Sequence, residues 1–196
     1  ITGLSHGASG VALALLKAFA LTGDERYRDV AMAHIDFEEK MYDADAANYP
    51  TYQSTPTDKA FITAWCHGAP GIGLTRLMAY KITRDESLLL QIQKNLKVTT
   101  AFSLEHLDHI CCGNFGRMDI ELEHARFFED QKAIDTIKRE ATYIVNRFYE
   151  HDGFRLFIDA PTKVFSPGLF VGATGIAYSL LRIAYPDKLP CVLAYE

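Results

Sequence analysis

No stretch of this 196-residue chain stays apolar for the roughly 20 consecutive residues a membrane-spanning helix needs, and no signal-peptide pattern opens it. A surplus of one charge is missing too. Twenty Lys and Arg stand against 25 Asp and Glu, for a net charge of -5 with no long run of either sign, which excludes the basic face of a dedicated nucleic-acid binder. Cysteine is scarce, four in all, too few in a chain of this length for a disulfide framework. Two of them, Cys111 and Cys112, are adjacent, where a mutual disulfide would strain the backbone. These absences point to a cytoplasmic protein. Methionine is also lacking at the first position, where Ile1 is followed almost at once by a glycine motif. We therefore expect residues 1–196 to be one piece of a longer protein.

What is present is a repeat. "LSHGASGVALALL", "WCHGAPGIGLTRL", "ICCGNFGRMDIEL" and "LFVGATGIAYSLL" align on Gly-x-x-Gly followed by a helical run, with first glycines at Gly7, Gly68, Gly113 and Gly172. The intervals of 61, 45 and 59 residues each have room for two helices. The first helix of each pair, as in "VALALLKAFAL", is apolar nearly all round and is predicted to be buried. The second is predicted to be amphipathic and outer, over 24–43, 85–104 and 130–149, with acidic first turns. Residues 46–58 read as loop, and 153–159 as a short strand or hairpin arm. Inner apolar and outer amphipathic helices in alternation describe an all-α fold, an α/α toroid of helical hairpins. The glycines read as structural, allowing positive φ and close approach of neighbouring chains at each helix entrance.

The residues before each first glycine carry the chemistry. Aligned, they are Ser5-His6, Cys66-His67, Cys111-Cys112 and Phe170-Val171. A toroid turns the same repeat position toward the same end of its cavity, so residues distant in sequence converge there. Cys66, Cys111 and Cys112, with His6 and His67 beside them, have the donor chemistry of a zinc site. Cys191 aligns with nothing and reads as an inert thiol, and His106 and His109 read as loop or packing residues. Two carboxylates of a glycosidase are a weaker alternative, with Asp119 and Glu121 the available pair.

The elements "GLSHGASG", "WCHGAPGIGL", "CCGNFG" and the closing "PGLFVGATGIAYSLLRIAYPDKLPCVLAYE" resemble the LanC-like cyclases of lanthipeptide biosynthesis. The ending is most similar to the C-terminal cyclase domain of LanM-type synthetases, whose N-terminal part is a dehydratase. The resemblance implies a toroid of seven hairpins around one Zn²⁺, of which this chain holds about four. It implies Cys66, Cys111 and Cys112 as zinc ligands, an all-thiolate set, because many relatives have His at the position of Cys112. It implies an acid/base role for His6, with His67 at a position that is Tyr in some relatives and Ile62 where some carry Arg. An active-site Asp that relatives supply from an earlier hairpin has no counterpart here. The implied reaction adds cysteine thiols of a dehydrated precursor peptide to dehydroalanine or dehydrobutyrine, closing thioether rings. A non-catalytic zinc-stabilised scaffold that binds peptide or glutathione is the alternative.

Overall fold

A computed structural model describes residues 1–52 and 58–196. The described residues form seven α-helices, a two-stranded antiparallel sheet and one short 3-10 turn, in two compact units, 1–99 and 100–196. None of these helices is long and apolar enough to cross a membrane.

The first unit contains α1 (Ala8–Thr22), α2 (Glu25–Glu39), β1 (Pro50–Tyr52), β2 (Lys59–Phe61), α3 (Ala69–Thr83) and α4 (Leu88–Thr100), whose last residue crosses the boundary. Local chemistry sets the ends. Gly23 stops α1 in the left-handed conformation with its N–H on the Phe19 carbonyl, and the Asp24 side chain then caps α2 by accepting from the Arg26 N–H. Pro70 sits in the first turn of α3, where its missing N–H costs nothing. Leu13, Leu16, Ile35, Ile72, Leu77 and Ile92 form the core.

The second unit contains α5 (Asn114–Phe127), α6 (Gln131–His151), α7 (Ala173–Ala184) and the 3-10 turn Val192–Ala194. Asp130 caps α6 through the Ala133 N–H, and Asp152 ends it in the left-handed region. Ile110, Phe115, Ile120, Ile144 and Ile176 are at its centre.

Helix–turn–helix pairing matches the repeat reading in the first three copies and departs from it in several details. The fourth copy has its inner helix, α7, but no outer α-helix among the described residues. Pro186 and Pro190 follow closely, and neither can continue a helix. The stretch 46–58 is not all loop, since Pro50–Tyr52 pairs with Lys59–Phe61; residues 53–57 lie outside the described residues. Aromatic and β-branched side chains favour the strand there, and the proline occupies its first position. Residues 153–159 form no strand, because both backbone groups of Arg155 are engaged by Asp108 instead of a ladder. Of the inner helices, α3 is buried over most of its length, but α1 leaves Val11 and Leu21 exposed. Helix α5 is buried without being apolar: Arg117, Asp119, Glu123 and His124 are all inside.

The repeat glycines are needed for close approach more than for unusual backbone. Of the eight, only Gly68 has positive φ, at 81°. At the second glycine of every copy, an added Cβ would lie 1.9–2.1 Å from one carbonyl oxygen. Those carbonyls belong to Leu4 (facing Gly10), Trp65 (Gly71), Ile110 (Gly116) and Leu169 (Gly175). Each is the residue immediately before the position that carries Ser5, Cys66, Cys111 or Phe170. The signature thus seats the loop bearing the candidate ligands directly on the first turn of its helix.

Candidate metal centre

Within each unit, the aligned positions of its two copies are joined by backbone hydrogen bonds. In the first unit the N–H groups of Leu4 and Ser5 both donate to the Cys66 carbonyl at 3.1 Å. In the second unit the Cys111 N–H donates to the Phe170 carbonyl at 2.9 Å. Ser5, Cys66, Cys111 and Phe170 are equivalent in the repeat, so the sequence alignment has a direct physical counterpart.

Within residues 1–99, Cys66 is buried and is not part of a disulfide, His67 is half-buried and His6 is exposed. The two imidazole rings lie 6.1 Å apart, centre to centre. His6 opens onto a cleft of about 430 Å³ lined by Val11, Ala33, His34 and Phe37, an apolar neighbour that the motif alone did not indicate. The segment leading to His6 is anchored by Glu38, a fully buried carboxylate that accepts from the Gly3 N–H at 2.7 Å, from the Ser9 hydroxyl, and from Arg76 at 3.0 Å.

Within residues 100–196, Cys111 and Cys112 are half-buried thiols with their Sγ atoms 3.5 Å apart. That is far beyond a disulfide bond length. His109 is not simple packing. It is 3% exposed and its Nδ1 accepts the Cys112 N–H at 3.2 Å, and burial holds its pKa below the usual imidazole value. His106 is exposed and stacks on Phe102 at 4.3 Å. Cys191 is fully buried, and burial raises its thiol pKa, which fits an inert role. The glycosidase alternative loses its pair, since Asp119 is buried in an ion pair with Arg182 instead of opening on a cavity.

The profile of the family described as "Lanthionine synthetase C-like protein" matches residues 1–194, nearly the whole chain. The chain belongs to the lanthionine synthetase C-like family. Among curated proteins, this LanC-like chain is 26% identical over 198 residues to the lacticin 481/lactococcin biosynthesis protein LcnDR2 of Lactococcus lactis subsp. lactis, a match covering 93% of this chain and 20% of that protein. Among solved structures it is similar to nisin cyclase, with a TM-score of 0.74 and 19% identity, over 99% of this chain and 50% of that one. The chain therefore spans about a fifth of the length of the first relative and half of the second. At that identity the second likeness speaks for the fold alone, and the α/α-toroid class expected from the LanC-like repeats is the fold the two share.

Two residues of consequence escaped the motif reading. Glu38 lies in an outer helix with no distinguishing pattern around it. Asp108, three residues before Cys111, did leave a trace: the same position holds Thr2, Thr63 and Pro167 in the other copies, so it alone is charged.

Proposed function

We propose that this LanC-like chain acts as a zinc-dependent cyclase on a dehydrated precursor peptide, with Cys66, Cys111 and Cys112 as the zinc ligands and His6 or His67 handling the proton. The observation that carries this reading is the pair of half-buried thiols of Cys111 and Cys112, 3.5 Å apart at the repeat position that also bears Cys66. Two sulfurs bound to one tetrahedral zinc at about 2.3 Å each are about 3.8 Å apart, so the donor pair fits such an ion. Bound zinc would keep a peptide cysteine as its reactive thiolate at neutral pH.

The reaction forms a carbon–sulfur bond at the β-carbon of dehydroalanine or dehydrobutyrine and needs a proton at the α-carbon. His6 is exposed and able to supply it as a general acid, an effect worth about 10²- to 10⁴-fold. His67, half-buried beside it, orients the ring or shares the role. The apolar cleft next to His6 suits apolar side chains flanking the reacting residues. The match to a fifth of LcnDR2 supports a longer polypeptide, for which the LanM-type resemblance implies a dehydratase, and the scarcity of cysteine supports a cytoplasmic location.

Metal analysis and ring-closure assays test the reading. Purified protein is expected to carry one equivalent of zinc that Cys111→Ala or Cys112→Ala removes. His6→Asn is expected to keep the zinc while slowing the loss of free thiols from dehydrated precursor by about 10²- to 10⁴-fold. A well-folded protein with no affinity for zinc sinks the proposal, and loss of zinc from the His6 variant makes that residue a ligand.

A further inference from the structure

The loop that carries Cys111 and Cys112 runs from the end of α4 to Asn114 without any regular backbone ladder, so something else must hold it. Asp108 is at its centre, 1% exposed, with both carboxylate oxygens engaged. Oδ1 accepts from Arg147 at 2.5 Å and from the Asn114 side-chain amide at 3.0 Å, and Oδ2 accepts from the Arg155 N–H at 2.8 Å. Its backbone is equally occupied: the Asp108 N–H donates to the Arg155 carbonyl at 2.8 Å, and its carbonyl accepts the Phe115 N–H at 3.2 Å. Arg147, from the buried side of α6, donates a second bond to the Leu104 carbonyl at 2.9 Å. One ion pair thus ties α6, the start of α5, the segment after α6 and both halves of the cysteine loop.

We propose that Asp108 and Arg147 are positioning residues for the metal centre, holding Cys111 and Cys112 as a preformed ligand pair. The inference rests on the zinc reading above. Its physical basis is that ligands ordered in advance do not have to be ordered by the metal, so groups that hold ligands in place contribute to affinity without touching the ion. Guanidinium geometry matters here. Arg147 reaches Asp108 and the Leu104 carbonyl with separate nitrogens of one planar group, which a lysine ammonium does not reproduce.

The test is zinc affinity of the full-length chain, measured by competition with a chromophoric chelator, alongside the thiolate-to-cobalt absorption of the Co²⁺-loaded protein. Removing one member would leave a buried unpaired charge and a general loss of stability. The informative variants are therefore the double change Asp108→Asn with Arg147→Met, and the conservative Arg147→Lys. Asp119→Asn is the control, because it disrupts a comparably buried ion pair in the same unit, between α5 and α7 and not on the loop itself, while leaving Arg182 paired with Glu123. The double variant is expected to bind zinc about 10- to 100-fold more weakly, with altered cobalt absorption. Arg147→Lys is expected to fall between it and wild type, and Asp119→Asn to keep wild-type affinity and spectrum. If the double variant does not fold, Arg147→Lys decides alone. Wild-type affinity in the folded double variant or in Arg147→Lys overturns the inference, as does an equal loss in Asp119→Asn. A wild-type protein that binds no zinc overturns the proposed function itself, a result distinct from these.

Discussion

The same kind of side chain does different work at neighbouring positions of α5, and the surroundings decide which. Asp119 is buried against Arg182, whereas Glu121, two residues on, is partly buried with the carboxylate of Glu140 nearby and Arg117 as its opposing charge. Burial, with Glu140 adding to it, pushes the Glu121 pKa up to about 8. The unfolded chain would release that proton near 4.5. Between these values the folded state binds more protons than the unfolded one, so stability falls as pH rises and the loss is complete above about pH 8. Glu140, raised for the same reason, acts in the same direction. Glu121→Gln is expected to leave stability unchanged near pH 5. Near pH 9 it is expected to raise stability by about 1–2 kcal/mol, a figure already reduced for the group's residual contact with water. Urea denaturation at the two pH values checks this. An equal effect at both would show that Glu121 is ionised throughout.

The helices, their pairing in the first three copies and the Gly-x-x-Gly signature were legible in the sequence, because each depends on nearby residues, although the outer helices expected over 24–43 and 85–104 run only over Glu25–Glu39 and Leu88–Thr100. What a helix packs against is not local. Nothing in "VALALLKAFAL" says that Val11 and Leu21 stay exposed, and nothing in "RMDIELEHARF" says that its charges are inside, because Arg182 is about 60 positions away. Positive φ accounts for only one of the eight repeat glycines. Close approach makes a sharper prediction. Gly116→Ala puts a methyl group 1.9 Å from the Ile110 carbonyl, so the backbone just before Cys111 must move. Gly168→Ala meets nothing nearer than 3.6 Å and adopts no special φ. Thermal unfolding is expected to show Gly116→Ala less stable by about 1–3 kcal/mol and Gly168→Ala near wild type. Equal stabilities would mean that the loop is not seated as described.

At the scale of the molecule, the candidate ligands are the case in which the sequence says most and local structure least. Cys66 and Cys111 stand 45 positions apart, and neither lies in a metal-binding motif with short spacing. They are candidates because the repeat places them at equivalent points, and within each unit the backbone bond between its two copies uses that same position, Cys66 with Leu4 and Ser5, Cys111 with Phe170. Less visible in the sequence was the support beneath the loops: Glu38, under the segment leading to His6, has no local signature, and Asp108, under the cysteine loop, shows only as the one charged residue at its repeat position. A ligand set scattered in this way exists only in the folded chain, so zinc and folding should be linked. Free zinc at about 100 times its dissociation constant is expected to add about 2.7 kcal/mol to the unfolding free energy, and a chelator to remove it. Thiols must lose their protons to bind, so the stabilisation by a fixed zinc concentration is expected to shrink steeply between about pH 8 and about pH 6. Denaturant titrations with zinc and with chelator across that range measure both effects. A stabilisation independent of pH over this window would show that the ligands are not thiols and would remove Cys111 and Cys112 from the site.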